Sequence, residues 1–145
     1  RLVSGDLARW TDEPCPCGRT YPRLPDGLYG RIDDMFIVRG ENIYPAAIED
    51  TLRATEGFGG EFVIVVSRRE TMDELLIRVE YAADWSAPEM QARLRATIRE
   101  RLRARIGVHP IIDLMPAGTL PRTEFKARRV VDDRDIYRQA VTKSR

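Results

Sequence analysis

The sequence predicts an α+β domain: a small sheet with two main helices in a split β-α-β-β-α-β arrangement, preceded by a short two-stranded hinge segment. Three observations lead there. Met90, Leu94, Ile98, Leu102 and Ile106 recur every four residues and form one apolar stripe of a long helix. Residues 62–66 are an unbroken apolar run rich in β-branched side chains, which marks a central strand. Leu75, Ile77, Val79 and Tyr81 alternate with Leu76, Arg78 and Glu80, which marks a second strand with one wetter face.

The elements follow in order. Residues 1–29 are punctuated by Pro14, Pro16, Gly18, Pro22, Pro25 and Gly27, and predict an irregular connector. Asp33 and Asp34 lie between two short extended pieces, which predicts a tight turn joining two small strands. The second of these, residues 35–39, is the expected leading strand of the sheet. Pro45 suits the first turn of a helix, where its missing N–H would be unpaired anyway. That helix is expected to reach about Thr55, with Ala47, Ile48, Thr51 and Leu52 facing inward. The polar residues 68–73 read as a hairpin loop. Ser86 is placed to cap the long helix, which starts near Ala87-Pro88. Residues 110–115 predict a further strand, 116–123 a loop, 126–131 a last short strand, and the tail after Asp135 a terminal helix.

Composition excludes several classes. A net charge of +1 leaves no global field to draw in nucleic acid or a membrane surface. The arginines at 93, 95, 99, 101, 103 and 105 read as a solvated helix face, since Glu89 and Glu100 share the helix and no aromatic stacking set is interleaved. No apolar run reaches the length of a membrane span. Two cysteines are too few for a secreted disulfide scaffold, which places the chain in the cytoplasm. The opening Arg1-Leu2-Val3-Ser4-Gly5-Asp6 reads as the interior of a longer polypeptide. Only Lys126 and Lys143 carry an amine, so any lysine chemistry has two candidates.

Three segments combine turn residues with charge, the way a loop presents side chains to a ligand from a rigid base. They are Ser4-Gly5-Asp6, then Gly30-Arg31-Ile32-Asp33-Asp34 through Arg39-Gly40-Glu41-Asn42-Ile43-Tyr44-Pro45, then Gly118-Thr119-Leu120-Pro121-Arg122-Thr123-Glu124-Phe125-Lys126-Ala127-Arg128-Arg129-Val130. In this order, together with Cys15-Pro16-Cys17-Gly18-Arg19-Thr20, they resemble the C-terminal part of the adenylate-forming acyl-CoA synthetase superfamily. The phenylacetate-CoA ligase branch, which includes sequences labelled coenzyme F390 synthetase, is the nearest in pattern.

The resemblance implies an enzyme that joins a carboxylate to AMP, using ATP with Mg2+, and then passes the acyl group to CoA. It implies a larger N-terminal nucleotide-binding domain on the same polypeptide, with residues 1–29 as the connector and 30–145 as the mobile C-terminal domain. An aromatic carboxylic acid is the implied substrate. By the same resemblance Lys126 is the adenylation lysine, Asp6 binds the ATP ribose, Arg31 lies near ribose and phosphates, Asp33 is the hinge, and Gly40 lines the pantetheine tunnel. Read alone, Asp6 is a turn aspartate, Arg31 an ion-pair partner, Asp33 a turn former and Gly40 a left-handed turn glycine. Many members carry Gly before the lysine, where this chain has Phe125. Cys15 and Cys17 either supply part of a structural zinc site or stand as two thiols; the single His109 lies in a distant segment. Two rival readings are an adenylating enzyme of the same branch that does not use CoA, and a stand-alone binding or regulatory module.

Overall fold

The computed structural model describes residues 4–122 and 129–134. Its first strands, β1 (Asp6–Ala8) and β2 (Leu28–Arg31), pair antiparallel with Asp6 opposite Arg31. The segment between them is irregular, as its prolines and glycines predict. It is held by a bridge of Thr11 to Arg23 and by a turn in which the Gly18 N–H donates to the Cys15 carbonyl at 2.9 Å. A 3-10 turn at Ile32–Asp34 leads into β3 (Phe36–Val38), which pairs antiparallel with β4 (Glu41–Ile43).

The turn at Asp33 and Asp34 is therefore present, but the strands on either side of it do not pair with each other. β2 pairs back to β1, and β3 pairs forward to β4. Only Arg39 and Gly40 separate β3 from β4, with φ of 53° and 85°. Positive φ at both positions makes a type I′ turn, whose twist matches that of a hairpin. Closing so short a loop satisfies the hydrogen bonds of β3 locally, so residues 35–39 do not lead the main sheet.

α1 (Pro45–Arg53) begins at its proline and buries Ile48 and Leu52. β5 (Phe58–Arg69) and β6 (Met72–Tyr81) form a long antiparallel hairpin that extends well past the apolar run at 62–66. At its foot Gly57 has φ of 89°, and a Cβ there would lie 2.4 Å from the Trp85 ring, so a side chain would displace the indole. α2 (Pro88–Ile106) buries Leu94, Ile98, Leu102 and Ile106, as the four-residue stripe requires. Ser86 does not cap it. Ala87 holds the cap position, no side chain bonds the first amides, and the Ser86 carbonyl instead accepts from Gln91 Nε2 at 3.0 Å. Gly107, in the left-handed region at φ 75°, ends the helix.

β7 (Ile111–Pro116) and β8 (Val130–Asp132) complete a sheet in the order β7-β6-β5-β8. Both outer strands run parallel to their neighbours. The expected strand at 126–131 is thus represented by β8, which takes the edge position beside β5, while residues 35–39 stay outside this sheet. The expected terminal helix after Asp135 lies outside the described residues. Phe62, Ile64 and Val66 of β5 and Leu75, Ile77 and Val79 of β6 share one core cluster with the buried faces of α1 and α2. Each such side chain, fully buried, contributes about 1.5–3 kcal/mol. No described helix is long and apolar enough to cross a membrane.

Candidate functional site

β1, β2 and the 3-10 turn after them bring three of the sequence-predicted residues to one place. Asp6 and Arg31 are cross-strand partners. The pairing extends one step further, because the Ile32 N–H donates to the Gly5 carbonyl at 2.8 Å. Arg31 then grips Asp33 with both sides of its fork, Nε to Oδ1 and Nη2 to Oδ2, each 2.9 Å. The Arg31 hydrogen bonds hold the Asp33 carboxyl below the usual carboxylate range, and Asp33, with Asp6 and Asp34 nearby, reinforces the charge on Arg31. Arg31 and Asp33 are exposed, so the pair is open to exchange for another anion.

The Arg39–Gly40 turn stands apart from that junction, on the β3–β4 hairpin. Among the described residues a Cβ at Gly40 would meet nothing within 4 Å, so the turn's exposed tip is shaped by backbone conformation. Its base is not open. Phe36, Val38 and Ile43 are buried in the core. Arg39 Nε donates to the Asp73 carbonyl at 2.8 Å, and Asp73 itself accepts from Arg68 Nε at 2.8 Å and Arg134 Nη1 at 2.9 Å. Those hydrogen bonds, Arg68 first, hold the Asp73 carboxyl low.

Lys126 lies outside the described residues, as does Phe125 before it. The loop that leads to them is described as far as Arg122. There the buried Glu80 accepts the Leu120 N–H at 2.6 Å. Alternation had put Glu80 on the wetter face of its strand, but the loop after β7 covers it. On the other side of the undescribed stretch, Arg129 lies over the Phe62 ring at 4.5 Å and pairs with Glu49 at 3.0 Å. It lines a cleft of about 660 Å³ with Asp33, Asp34, Pro45, Glu49 and Phe62.

Cys15 and Cys17 face each other in the connector, Sγ to Sγ 2.9 Å. The Cys17 thiol and amide hold the Cys15 thiol below the usual cysteine range, and the charge of Arg23 adds to this. Two thiols are half of the tetrahedral set that zinc requires. Among the described residues no three His, Cys, Asp or Glu side chains converge on one point, and His109 is exposed.

Sequence reasoning did not find Asp73, Glu80 or Arg134, and placed Arg129 in the third motif without a role of its own. Asp73 and Arg134 carry no local motif, and a signal for them exists only in the partners that the fold supplies.

Known proteins share this architecture. The family described as AMP-binding enzyme C-terminal domain matches residues 40–134. The chain is similar to the phenylacetate-coenzyme A ligase of Thermus thermophilus, with 36% identity covering 91% of this chain and 33% of the relative. It is similar to 2-hydroxyisobutyryl-CoA ligase solved in the postadenylation state with R3-HIB-AMP, at 46% identity and a TM-score of 0.82, covering 99% of this chain and 31% of that one. With the same ligase solved with 2-HIB-AMP and CoA in the thioesterification state, over 99% of this chain and 30% of that one, the TM-score is 0.71. It is similar, too, to a domain of phenylacetate-coenzyme A ligase from Bacteroides vulgatus ATCC 8482, with 32% identity and a TM-score of 0.66, covering 72% of this chain and 97% of that one. The chain spans about a third of the length of the curated relatives it matches.

Proposed function

The chain belongs to the AMP-binding enzyme C-terminal domain family, in its phenylacetate-CoA ligase-like branch, and from that premise we propose that it is the mobile domain of an AMP-forming acyl-CoA ligase. A larger nucleotide-binding domain precedes it on the parent polypeptide, with residues 1–29 as the connector and 30–145 as the moving part. The observation that carries the reading is the convergence of Asp6, Arg31 and Asp33 at the junction between connector and domain.

In this reading the reaction has two steps. A carboxylate oxygen attacks the α-phosphorus of ATP, pyrophosphate leaves, and an acyl-adenylate forms. The CoA sulfur, losing its proton, then attacks the acyl carbonyl and AMP leaves. Lys126 serves the first step: its ammonium binds the carboxylate and α-phosphate oxygens where negative charge develops. Asp6 accepts hydrogen bonds from the ribose hydroxyls. Arg31 exchanges its grip on Asp33 for the nucleotide, since a fixed guanidinium fork suits ribose and phosphate oxygens alike. The Mg2+ that accompanies ATP neutralises charge on the phosphates. Asp33 is the hinge about which the domain turns between steps. Gly40 then faces the pantetheine arm, where the open space at the turn admits it.

The present arrangement of connector and domain agrees better with the relative's postadenylation state than with its thioesterification state, at equal identity and nearly equal coverage. This supports reading it as the adenylation-side orientation. The acid activated is an aryl or arylacetic acid by likeness to the phenylacetate-CoA ligases. The 46% identity to 2-hydroxyisobutyryl-CoA ligase supports a second reading, a short branched hydroxy acid. Cys15 and Cys17 are the two ligands this chain offers to a structural zinc whose other ligands come from the larger domain. Zinc bound by the parent polypeptide and lost in Cys15→Ser is the expected result; an unchanged zinc content removes the site.

The test is Lys126→Ala in the parent polypeptide, followed through both half-reactions. ATP–pyrophosphate exchange is measured with aryl and hydroxy acids, and thioester formation from supplied acyl-adenylate. Exchange is expected to fall by about a hundredfold or more, the scale of losing one preorganised donor to developing charge, while thioester formation is largely kept. A variant active in both steps removes Lys126 from the site.

A further inference from the structure

We propose that Arg134 and Asp73 are positioning residues that fix the Arg39–Gly40 turn for thioester formation. The inference deepens the ligase reading above and rests on it. Arg134 reaches three separate elements with one guanidinium. Its Nε and Nη2 bond both Asp132 oxygens in β8, at 2.8 and 2.6 Å. Its Nη1 bonds Asp73 at the β5–β6 turn at 2.9 Å and also the carbonyl of Ile37 in β3. The side chain is only 9% exposed, and that of Asp73 12%. Asp73 returns the connection, because its backbone carbonyl accepts from Arg39 Nε at 2.8 Å.

The hairpin needs such an anchor. It has three residues per strand and, among the described residues, belongs to no larger sheet, and an isolated two-stranded hairpin is marginal in water. Phe36, Val38 and Ile43 fix its base, but among the described residues nothing packs within 4 Å of the Gly40 Cβ position. Arg39 carries a left-handed backbone at φ 53° without being glycine, a conformation that persists only where surroundings over-determine it. Here those surroundings are the Asp73 carbonyl and the Ile37–Arg134 bond on the strand just before. Removing either leaves the other with its remaining partner, Asp132 for Arg134 and Arg68 for Asp73, but the edge of the hairpin loses its tie to the sheet.

This position matters for one step only. In the ligase reading the turn meets the pantetheine arm during thioester formation, whereas adenylation draws on Lys126. A displaced turn thus impairs one half-reaction and spares the other, which a general loss of fold does not do.

The experiment uses the parent polypeptide with Arg134→Met, Arg134→Lys and Asp73→Asn, each assayed well below its own melting temperature. Thioester formation from supplied acyl-adenylate and CoA is expected to fall by roughly a hundredfold in Arg134→Met, the order that a displacement of about 1 Å costs. Exchange of ATP with pyrophosphate stays within about twofold of wild type. Arg134→Lys, which keeps the charge but cannot bridge three partners, falls between. Amide hydrogen exchange is expected to speed up at residues 37–41 and stay slow at 62–66 and 75–79. Equal loss in both half-reactions, no loss in either, or unchanged exchange at 37–41 overturns the inference alone, given an active wild type. A wild type that carries out neither half-reaction overturns the ligase reading and this inference with it.

Discussion

At Gly40 two demands fall on one residue. The type I′ turn requires its φ of 85°, and no described residue lies within 4 Å of its Cβ position. The first is a stability term and the second a functional one in the ligase reading, so they can be separated. Gly40→Ala introduces no clash and is expected to destabilise by only about 1–2 kcal/mol through the left-handed backbone. Thioester formation is expected to drop by far more than the lost folded fraction explains, because the methyl group then occupies the thiol's approach. Thermal unfolding and the thioester half-reaction, measured side by side, check this; a loss no greater than the unfolding accounts for would return Gly40 to a turn glycine. Asp6, Arg31 and Asp33 were legible for a related reason. They are close in sequence to turn residues and form recognisable motifs, and the β1–β2 pairing then closes the distance between the first and second motifs. Asp73 and Arg134 lie far apart in the chain and become partners only when β8 docks beside β5. Lys126 rests on its motif alone, since it lies outside the described residues.

The elements were legible wherever periodicity is set by burial. α2 is the clearest case: its stripe at every fourth position became its buried face because one side of a helix repeats at that spacing. β5 and β6 were also found, though both run further than their apolar stretches, because ladder hydrogen bonds continue past the last buried side chain. What patterning did not decide was partner choice. Residues 36–38 look like any short apolar strand, and a two-residue turn pairs them with β4 rather than with the main sheet. The cap of α2 shows the same limit: Ser86 has the right chemistry, but the 3-10 turn at Ala83–Trp85 sets Ala87 at the helix start instead. The Arg134 substitutions act at this scale, on one hairpin's anchorage to its neighbours, and so are read through local amide exchange as well as through activity.

The whole molecule is two paired segments meeting across the 3-10 turn at Ile32–Asp34. β2 lies against the start of α1, and a Cβ on Gly30 would stand 3.7 Å from the Ala46 Cβ. That separation is within the range a disulfide spans. The double substitution Gly30→Cys and Ala46→Cys, oxidised in the parent polypeptide, is therefore expected to lock the present orientation. Gly30 has φ of 153°, so the new cysteine carries some backbone strain, and mass spectrometry must establish the cross-link. If this is the adenylation-side orientation, the locked protein keeps pyrophosphate exchange, loses thioester formation, and regains it on reduction. Retention of both steps while cross-linked would show that no rotation about Asp33 is needed.

The sequence by itself determined the fold class, the two helices, the central hairpin and the motifs that name the family. These depend on local spacing: one face per period, and turn residues where the chain must reverse. Only the tertiary structure decided which strand flanks β5, why Glu80 is buried, and that Arg134 and Asp73 hold the Arg39–Gly40 turn. Each of these joins residues far apart in the chain. Their energies come from desolvated charge and hydrogen bonds that exist only after the core has brought the partners together.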